Sequence, residues 1–276
     1  MTRPRVSVIM GVFNCAPTLV ESLDSIARQS YADWEMVLCD DGSSDDTLKV
    51  AREWARHDDR AKVLANEQNL GLARTLDRCI SEARGEFLAR QDGDDISEPE
   101  RLAKLVAAMD AHPEVAVVSS WMTCFDENGV WGGVRTKPFP GPNDFLSGSP
   151  ICHAPCMMRR TPVLAVGGYG AQRWALQVED VFLWFRLYAA GYRAMNIQKA
   201  LYRVRDDELA RERRTLRRRV NHAIVRWKGF RMLGFPWYKR VWAVKPILVW
   251  ALPGGLYRKL HRQRLKQPMA SGLPLS

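Results

Sequence analysis

Two short apolar runs in the first hundred residues each end in a crowd of carboxylates. Met36-Val37-Leu38-Cys39 runs into Asp40-Asp41-Gly42-Ser43-Ser44-Asp45-Asp46-Thr47, and Phe87-Leu88-Ala89-Arg90-Gln91 runs into Asp92-Gly93-Asp94-Asp95. Like charges are costly to crowd unless something positive sits among them. Ligands of open α/β sheets bind outside the carboxyl ends of the strands. The pattern therefore predicts one shared site at two strand ends, holding a metal and a phosphorylated ligand.

The surrounding sequence supplies that sheet. Val6 to Phe13 is β-branched and apolar, as a buried parallel strand should be. Pro17 opens a helix whose Leu19, Leu23 and Ile26 keep helical spacing. Strands over 34–39, 62–65, 86–91 and 115–120 alternate with helices over 45–56, 70–83 and 99–111. This βαβ order predicts a mostly parallel sheet with helices on both faces. Residues 121–175 are rich in Gly and Pro and read as loops with a few strands. A helix over 177–190 and a strand over 192–201 follow.

Charge divides the chain. From Arg211 to Ser276 there are 17 Lys and Arg against the single acid Glu212, a net +16. The whole chain carries +10, so residues 1–210 carry −6. An acidic body needs cations at its site, and a basic tail seeks a polyanion. The tail interleaves Trp227, Phe230, Trp237, Tyr238, Trp242 and Trp250 with Arg226, Lys228, Arg231, Lys239, Arg240 and Lys245. That mix suits the headgroup layer of an anionic membrane, and it also suits single-stranded nucleic acid. No run reaches the ~18 apolar residues of a spanning helix, and no secretory signal is read at the N-terminus. The six cysteines form no C-x-x-C pair and read as reduced, mostly buried thiols of a cytosolic protein. Cys152, His153 and Cys156 lack the further ligand that a zinc site needs.

Each acidic cluster has two readings. The first begins a helix, which accounts for Asp45 and Asp46 but leaves Asp40 and Asp41 to accept from a base N–H or a ribose hydroxyl. The second sets two carboxylates two residues apart around a glycine, so a tight turn could aim both at one hard cation. Mg²⁺ or Mn²⁺ takes carboxylate and substrate phosphate oxygens together.

In order, Val6 to Asn14, Asp40 to Thr47, Asn69 to Ala73, Ala89 to Asp95, Val166 to Tyr169 and Glu179 to Trp184 resemble the inverting glycosyltransferases of the large bacterial family 2, which have the GT-A fold. The resemblance covers residues 5 to about 205. It implies a GT-A catalytic domain over 1–205 and a basic, aromatic-rich helical extension over 206–276. Asn14, Asp40, Asp41 and Arg74 would lie around the donor nucleotide. Asp92 would face its ribose and the metal, and Asp94 would be the main ligand of Mg²⁺ or Mn²⁺. Asp180 matches the catalytic base, Glu179 would support it or meet the acceptor, and His153 falls in a region near the acceptor.

The implied reaction moves a sugar from a nucleotide-diphosphate donor, UDP before others, to a hydroxyl of a glycan or lipid-linked acceptor of a bacterial surface polysaccharide. Members often carry a metal-binding histidine after the last body strand. Here that position holds Arg205, which cannot ligate and could instead grip the diphosphate. With such a body, the tail's expected partner is the inner face of the plasma membrane. A nucleotidyltransferase would need a Gly-rich, basic loop after the first strand, where Asn14-Cys15-Ala16-Pro17 stands instead. A nucleic-acid-binding protein would use the tail alone, and no nucleic-acid partner is expected.

Overall fold

The structure is a computed structural model that describes residues 3–206, 215–250 and 265. Its centre is a nine-stranded sheet ordered β3-β2-β1-β4-β8-β6-β9-β5, with β7 added beside β6. The strands are β1 (Val6–Val12), β2 (Trp34–Asp40), β3 (Ala61–Ala65), β4 (Phe87–Arg90), β5 (Ile96–Ser97), β6 (Val115–Asp126), β7 (Gly129–Val134), β8 (Met157–Arg159) and β9 (Arg193–Arg205). Strands β3, β2, β1, β4, β6 and β9 run one way, and β8, β7 and β5 oppose them.

Residues alternate between the two faces of each strand. Val6, Val8 and Met10 of β1 face one core with Met36 and Leu38 of β2. Helices α1 (Ala16–Ala27), α2 (Thr47–Ala55) and α4 (Arg101–Ala111) cover that face through Leu19, Leu23, Ile26, Ala51, Leu102 and Leu105. Ile9 and Val37 face the second core, covered by α3 (Leu72–Glu82), the short α5 (Arg160–Ala165) and α6 (Glu179–Ala189) through Leu76, Ile80, Val163, Trp184 and Phe185. Both sides of the sheet are dry, which is why β1 and β2 are apolar almost throughout.

The predicted helices and strands are present, with three differences of physical interest. Strand β6 runs on to Asp126 and β9 to Arg205, because the two pair in parallel from Val115–Arg193 to Phe125–Arg205. Strand β4 does not meet β6 directly. Met157-Met158-Arg159, from the stretch read mainly as loop, inserts antiparallel between them as β8. The acids expected in the first turn of α2 precede the helix. There Asp45 accepts from Thr47 N (3.0 Å) and Ala16 N (3.2 Å), holding the starts of α2 and α1 together.

The C-terminal part resumes at Thr215, whose hydroxyl caps α7 (Leu216–Met232) by accepting from Arg218 N. Two short helices follow, α8 (Trp237–Arg240) and α9 (Lys245–Trp250), joined by a 3₁₀ turn over Val241–Val244. Val225, Phe230, Phe235 and Ala243 enter the second core beside Phe145 and Phe185. Arg226 is buried among backbone carbonyls and donates to Phe145 O (3.0 Å), Leu146 O (2.9 Å) and Trp242 O (3.2 Å). Helix α7 meets α6 at Gly229, where a Cβ would fall inside the Phe185 ring. Arg211 to Arg214, part of the arginine run read as helical, lies outside the described residues.

That close approach gives a test of the packing. Gly229→Ala should lower the unfolding free energy by about 1–3 kcal/mol, as overpacking does, when measured by urea denaturation. An unchanged midpoint would mean that α7 does not bear on Phe185 in solution.

Candidate active site

The site forms at the carboxyl ends of β1, β2 and β4. Asn14, at the end of β1, takes φ of 48°. Its Oδ1 accepts from Ser44 N (2.9 Å) and its own N donates to Ser43 Oγ (3.0 Å), tying the first strand end to the first acidic loop. Asp41 is buried and internally engaged. It accepts from Asn66 Nδ2 (2.8 Å), Leu70 N (2.9 Å) and Gly71 N (2.9 Å), so it braces the turn that starts α3. Asp40 accepts from Ser43 N (3.1 Å) through Oδ2, while its buried Oδ1 has no hydrogen-bond partner. A buried carboxylate oxygen without a donor is costly unless a ligand supplies one. Arg74 is exposed on the first turn of α3 and lines a cleft with Leu70, Gly71, Ala171, Arg173 and Leu176.

The second acidic turn is held from three sides. Helix α1 donates Ser22 Oγ to Asp92 O (2.6 Å) and Thr18 Oγ1 to Gly93 O (3.0 Å). Buried Gln91 donates to Asp95 O (3.0 Å) and accepts from Ser97 Oγ (2.7 Å). Tyr202 Oη accepts from Asp92 N (3.1 Å). Gly93 serves a different purpose from the one expected. Its φ is not left-handed, and a Cβ there would strike Cys15 Sγ and Val12. Glycine is needed so that β1 and the turn can approach.

Three arginines supply much of the positive charge that the acid cluster demands. Arg90 is fully buried, pairs with Asp92 and donates to Gln91 O, leaving its Nε unpartnered. Arg101 is fully buried beneath it, donates to Arg90 O (2.8 Å) and lies 5.1 Å from the Tyr202 ring centre. Arg205 donates Nε to Asp94 O (3.1 Å), pairs with Glu21 (3.0 Å), and stacks 4.6 Å from the Phe125 ring centre. Its backbone N donates to Asp95 (2.8 Å). Burial, with the Asp92 and Asp94 charges, holds the Asp95 carboxyl well above the usual carboxylate range. Asp95 is therefore a structural acid, and crowding alone does not demand a metal.

The metal ligands expected from sequence, Asp92 and Asp94, do share the turn, but one oxygen of Asp92 is spent on Arg90. Among the described residues no three His, Cys, Asp or Glu side chains converge as a cage, which also leaves Cys152, His153 and Cys156 without a zinc site. An incomplete all-oxygen donor set still fits a hard divalent cation that completes its shell with substrate phosphate and water.

The third element is the start of α6. Glu179 is buried and Asp180 half-buried in its first turn. Burial, with the neighbouring Asp180 charge, pushes the Glu179 carboxyl up to about 7, against the opposing charges of Arg90 and Arg218. Burial also raises Asp180, again opposed by Arg218 and Arg90. Arg218 comes from α7, which is fixed here by Asn221 Nδ2 donating to Leu176 O (3.1 Å). His153 sits edge-on to Tyr169 and Trp184, with Nε2 2.7 Å from Tyr169 Oη. Burial and the Arg90 charge hold it well below the usual histidine range, so the ring is neutral.

Arg90 thus pairs with the Asp92 turn, and its charge also acts on the Glu179–Asp180 pair. It was not singled out from sequence, although an arginine inside a buried strand, one step before the acids, was the signal. Arg101, Asp95 and Arg218 were also missed. The first two are buried polar residues whose partners are remote in sequence, and the third belongs to a segment read as a tail.

The profile described as Glycosyl transferase family 2 matches residues 7–167. The putative glycosyltransferase EpsE of Bacillus subtilis is 41% identical over 95% of each chain. The UDP-Gal:α-D-GlcNAc-diphosphoundecaprenol β-1,3-galactosyltransferase of Escherichia coli is 28% identical, covering 76% of this chain and 78% of that one. Among solved structures, the mannosyltransferase PcManGT of Pyrobaculum calidifontis in complex with GDP-Man and Mn²⁺ superposes with a TM-score of 0.66 at 22% identity, covering 95% of this chain and 80% of that one. Staphylococcus aureus TarS 1-349 in complex with UDP superposes with a TM-score of 0.64 at 22% identity, and this chain spans 65% of its length. The acidic turns at two strand ends, the buried arginine between them and the carboxylate pair, on a sheet shared with GT-A enzymes, place this chain in glycosyl transferase family 2 as a glycosyltransferase.

Proposed function

We propose that this glycosyltransferase moves a sugar, with inversion, from a nucleotide-diphosphate donor to an acceptor hydroxyl in the building of a bacterial surface polysaccharide. The observation that carries this reading is that one buried cation, Arg90, pairs with the phosphate-side carboxylate Asp92 and acts through its charge on the acceptor-side pair Glu179–Asp180. Such a placement lets one site hold the donor by its charged end and meet the acceptor at the other.

In this reading Asp40 takes a hydrogen bond from the nucleoside through its unpartnered Oδ1, and Asn14 and Arg74 flank it. Asp41 keeps the loop in shape. Asp94 and the remaining oxygen of Asp92 would hold Mg²⁺ or Mn²⁺. When bound, that cation stabilises the negative charge that grows on the departing diphosphate. Arg205, anchored by Glu21 and by Asp94 O, adds a fixed positive charge on the same side. UDP is favoured by the E. coli relative, whereas the archaeal fold relative carries GDP-Man.

Asp180 accepts the proton of the acceptor hydroxyl as the oxygen attacks the anomeric carbon from the face opposite the diphosphate. Its raised proton affinity, caused by burial and opposed by the charges of Arg218 and Arg90, suits a base of that kind. Glu179 orients the acceptor or Asp180. No covalent sugar–enzyme intermediate is required, so no nucleophilic Ser or Cys is called for. Two thiols near the acids fit that: burial and the Asp94 charge push Cys15 up to about 12, and burial pushes Cys156 to about 12.

Three outcomes follow for measurement. Asp180→Asn should cut kcat by about 10²–10⁴-fold, the usual weight of a general base, with nucleotide affinity in calorimetry unchanged. Equal loss of nucleotide binding would remove Asp180 from the acceptor side. Titration with UDP, GDP, CDP and dTDP, with and without Mn²⁺, should pick out one nucleotide. Asp94→Asn should abolish the Mn²⁺-dependent part and Arg205→Gln should weaken what remains. Equal, weak binding of all four, indifferent to Mn²⁺ and to both variants, would sink the donor site.

The Glu179 carboxyl gives a pH signature. Its folded-state affinity for a proton lies above the unfolded value of 4.5, so its stabilising contribution is present at low pH and lost as pH rises from about 4.5 to about 7. The unfolding free energy should fall across that window by up to about 3 kcal/mol, and Glu179→Gln should flatten the slope in urea denaturation curves. A slope unchanged in the variant would place the titration elsewhere.

A further inference from the structure

Helices α7 to α9 divide their aromatic residues in a way the sequence pattern does not show. Phe230 and Phe235 point into the core. Trp237 is 75% exposed, Tyr238 57%, Trp242 56% and Leu248 64%, and Trp227, Val241 and Val244 are also exposed. Monomeric soluble proteins rarely leave so many large apolar side chains together on one short segment without a partner. Among the described residues, no helix is long and apolar enough to cross a membrane.

The charge around these residues selects the partner. Residues 215–250 contain nine Lys and Arg and no Asp or Glu. Lys228 and Arg231 are exposed on α7 beside Trp227. The segment is rigidly mounted. Arg226 is buried under it, Lys239 Nζ donates to Asn143 Oδ1 (3.1 Å), Arg240 Nε to Phe235 O (2.7 Å), and Lys245 Nζ to Ser147 O (3.1 Å). An outward face of tryptophan and tyrosine, in a segment whose charged residues are all basic, matches the interface of an anionic bilayer, where amphipathic rings sit at headgroup depth and cations meet lipid phosphate.

We propose that the outer face of α7 to α9, centred on Trp237, Tyr238 and Trp242, docks this protein flat on an anionic lipid surface. Helix α7 also packs on α6, and its Arg218 charge acts on Glu179 and Asp180, so the docking face and the acceptor-side carboxylates belong to one packed unit. Docking would then hold the enzyme at the surface that carries a lipid-linked acceptor, a use that rests on the function proposed above, whereas the docking itself does not.

The test is flotation of the full chain with vesicles of phosphatidylcholine alone and of phosphatidylcholine with phosphatidylglycerol. Binding should appear with the anionic vesicles, weaken with added salt and blue-shift the tryptophan emission. Trp237→Ser with Trp242→Ser should lower the bound fraction by about tenfold or more. Lys228→Glu with Arg231→Glu should remove the preference for anionic lipid. Thermal unfolding and nucleotide titration of the same variants, expected unchanged, separate a failed surface from a failed fold or a failed donor site. The proposal is overturned if the chain floats with neither vesicle, or if the tryptophan variant floats as well as the parent. It is equally overturned if the face proves to be covered by a second copy, seen as a dimer that the tryptophan variant dissociates, or to prefer single-stranded DNA to lipid.

Discussion

The pair formed by Arg90 and Asp92 is the interaction on which the site depends. A guanidinium buried at the end of β4 is tolerable because a carboxylate, Asp92, and a carbonyl, Gln91 O, meet it directly. Removing either partner would leave an uncompensated charge in the core, which is far more costly than never having had the pair. The arrangement constrains everything near it. Gln91 and Tyr202 must hold the turn, Arg101 must brace the strand end, and α6 must present its acidic first turn toward the same cation.

The same charge explains why the site is poised rather than neutralised. Asp95 and Glu179 are pushed toward their protonated forms by burial and neighbouring acids, while Arg90, Arg218 and Arg205 pull in the opposite sense at different points. A binding cation or diphosphate would tip this balance. The fixed positive charge of Arg205 stands where a ligating side chain could, and in the proposed function it would share the charge of the diphosphate with a metal.

The C-terminal segment is tied into the catalytic body. Gly229 against Phe185, Arg226 among three carbonyls, and Asn221 on Leu176 fasten α7 to α6 and to the 143–147 turn. One helix thus joins the carboxylate pair on its inner side to an aromatic, basic surface on its outer side.

The sequence by itself determined the alternation of strands and helices, because apolar runs of strand length and helical spacing record burial directly. It also determined that Asp40, Asp41, Asp92 and Asp94 lie at strand ends, because loops follow strands wherever the apolar run stops. Glu179 and Asp180 were legible as an acidic first turn, and their further meaning came from resemblance. Only the tertiary structure decided that Asp41 is spent on the 66–71 turn while Asp40 keeps an unpartnered oxygen, that β8 inserts between β4 and β6, and that Arg90, Arg101 and Arg218 share the acids' neighbourhood. It alone decided which tail aromatics face inward. These are matters of contact between residues far apart in the chain, and a one-dimensional pattern records how much a residue prefers to be buried but not which partner makes its burial tolerable.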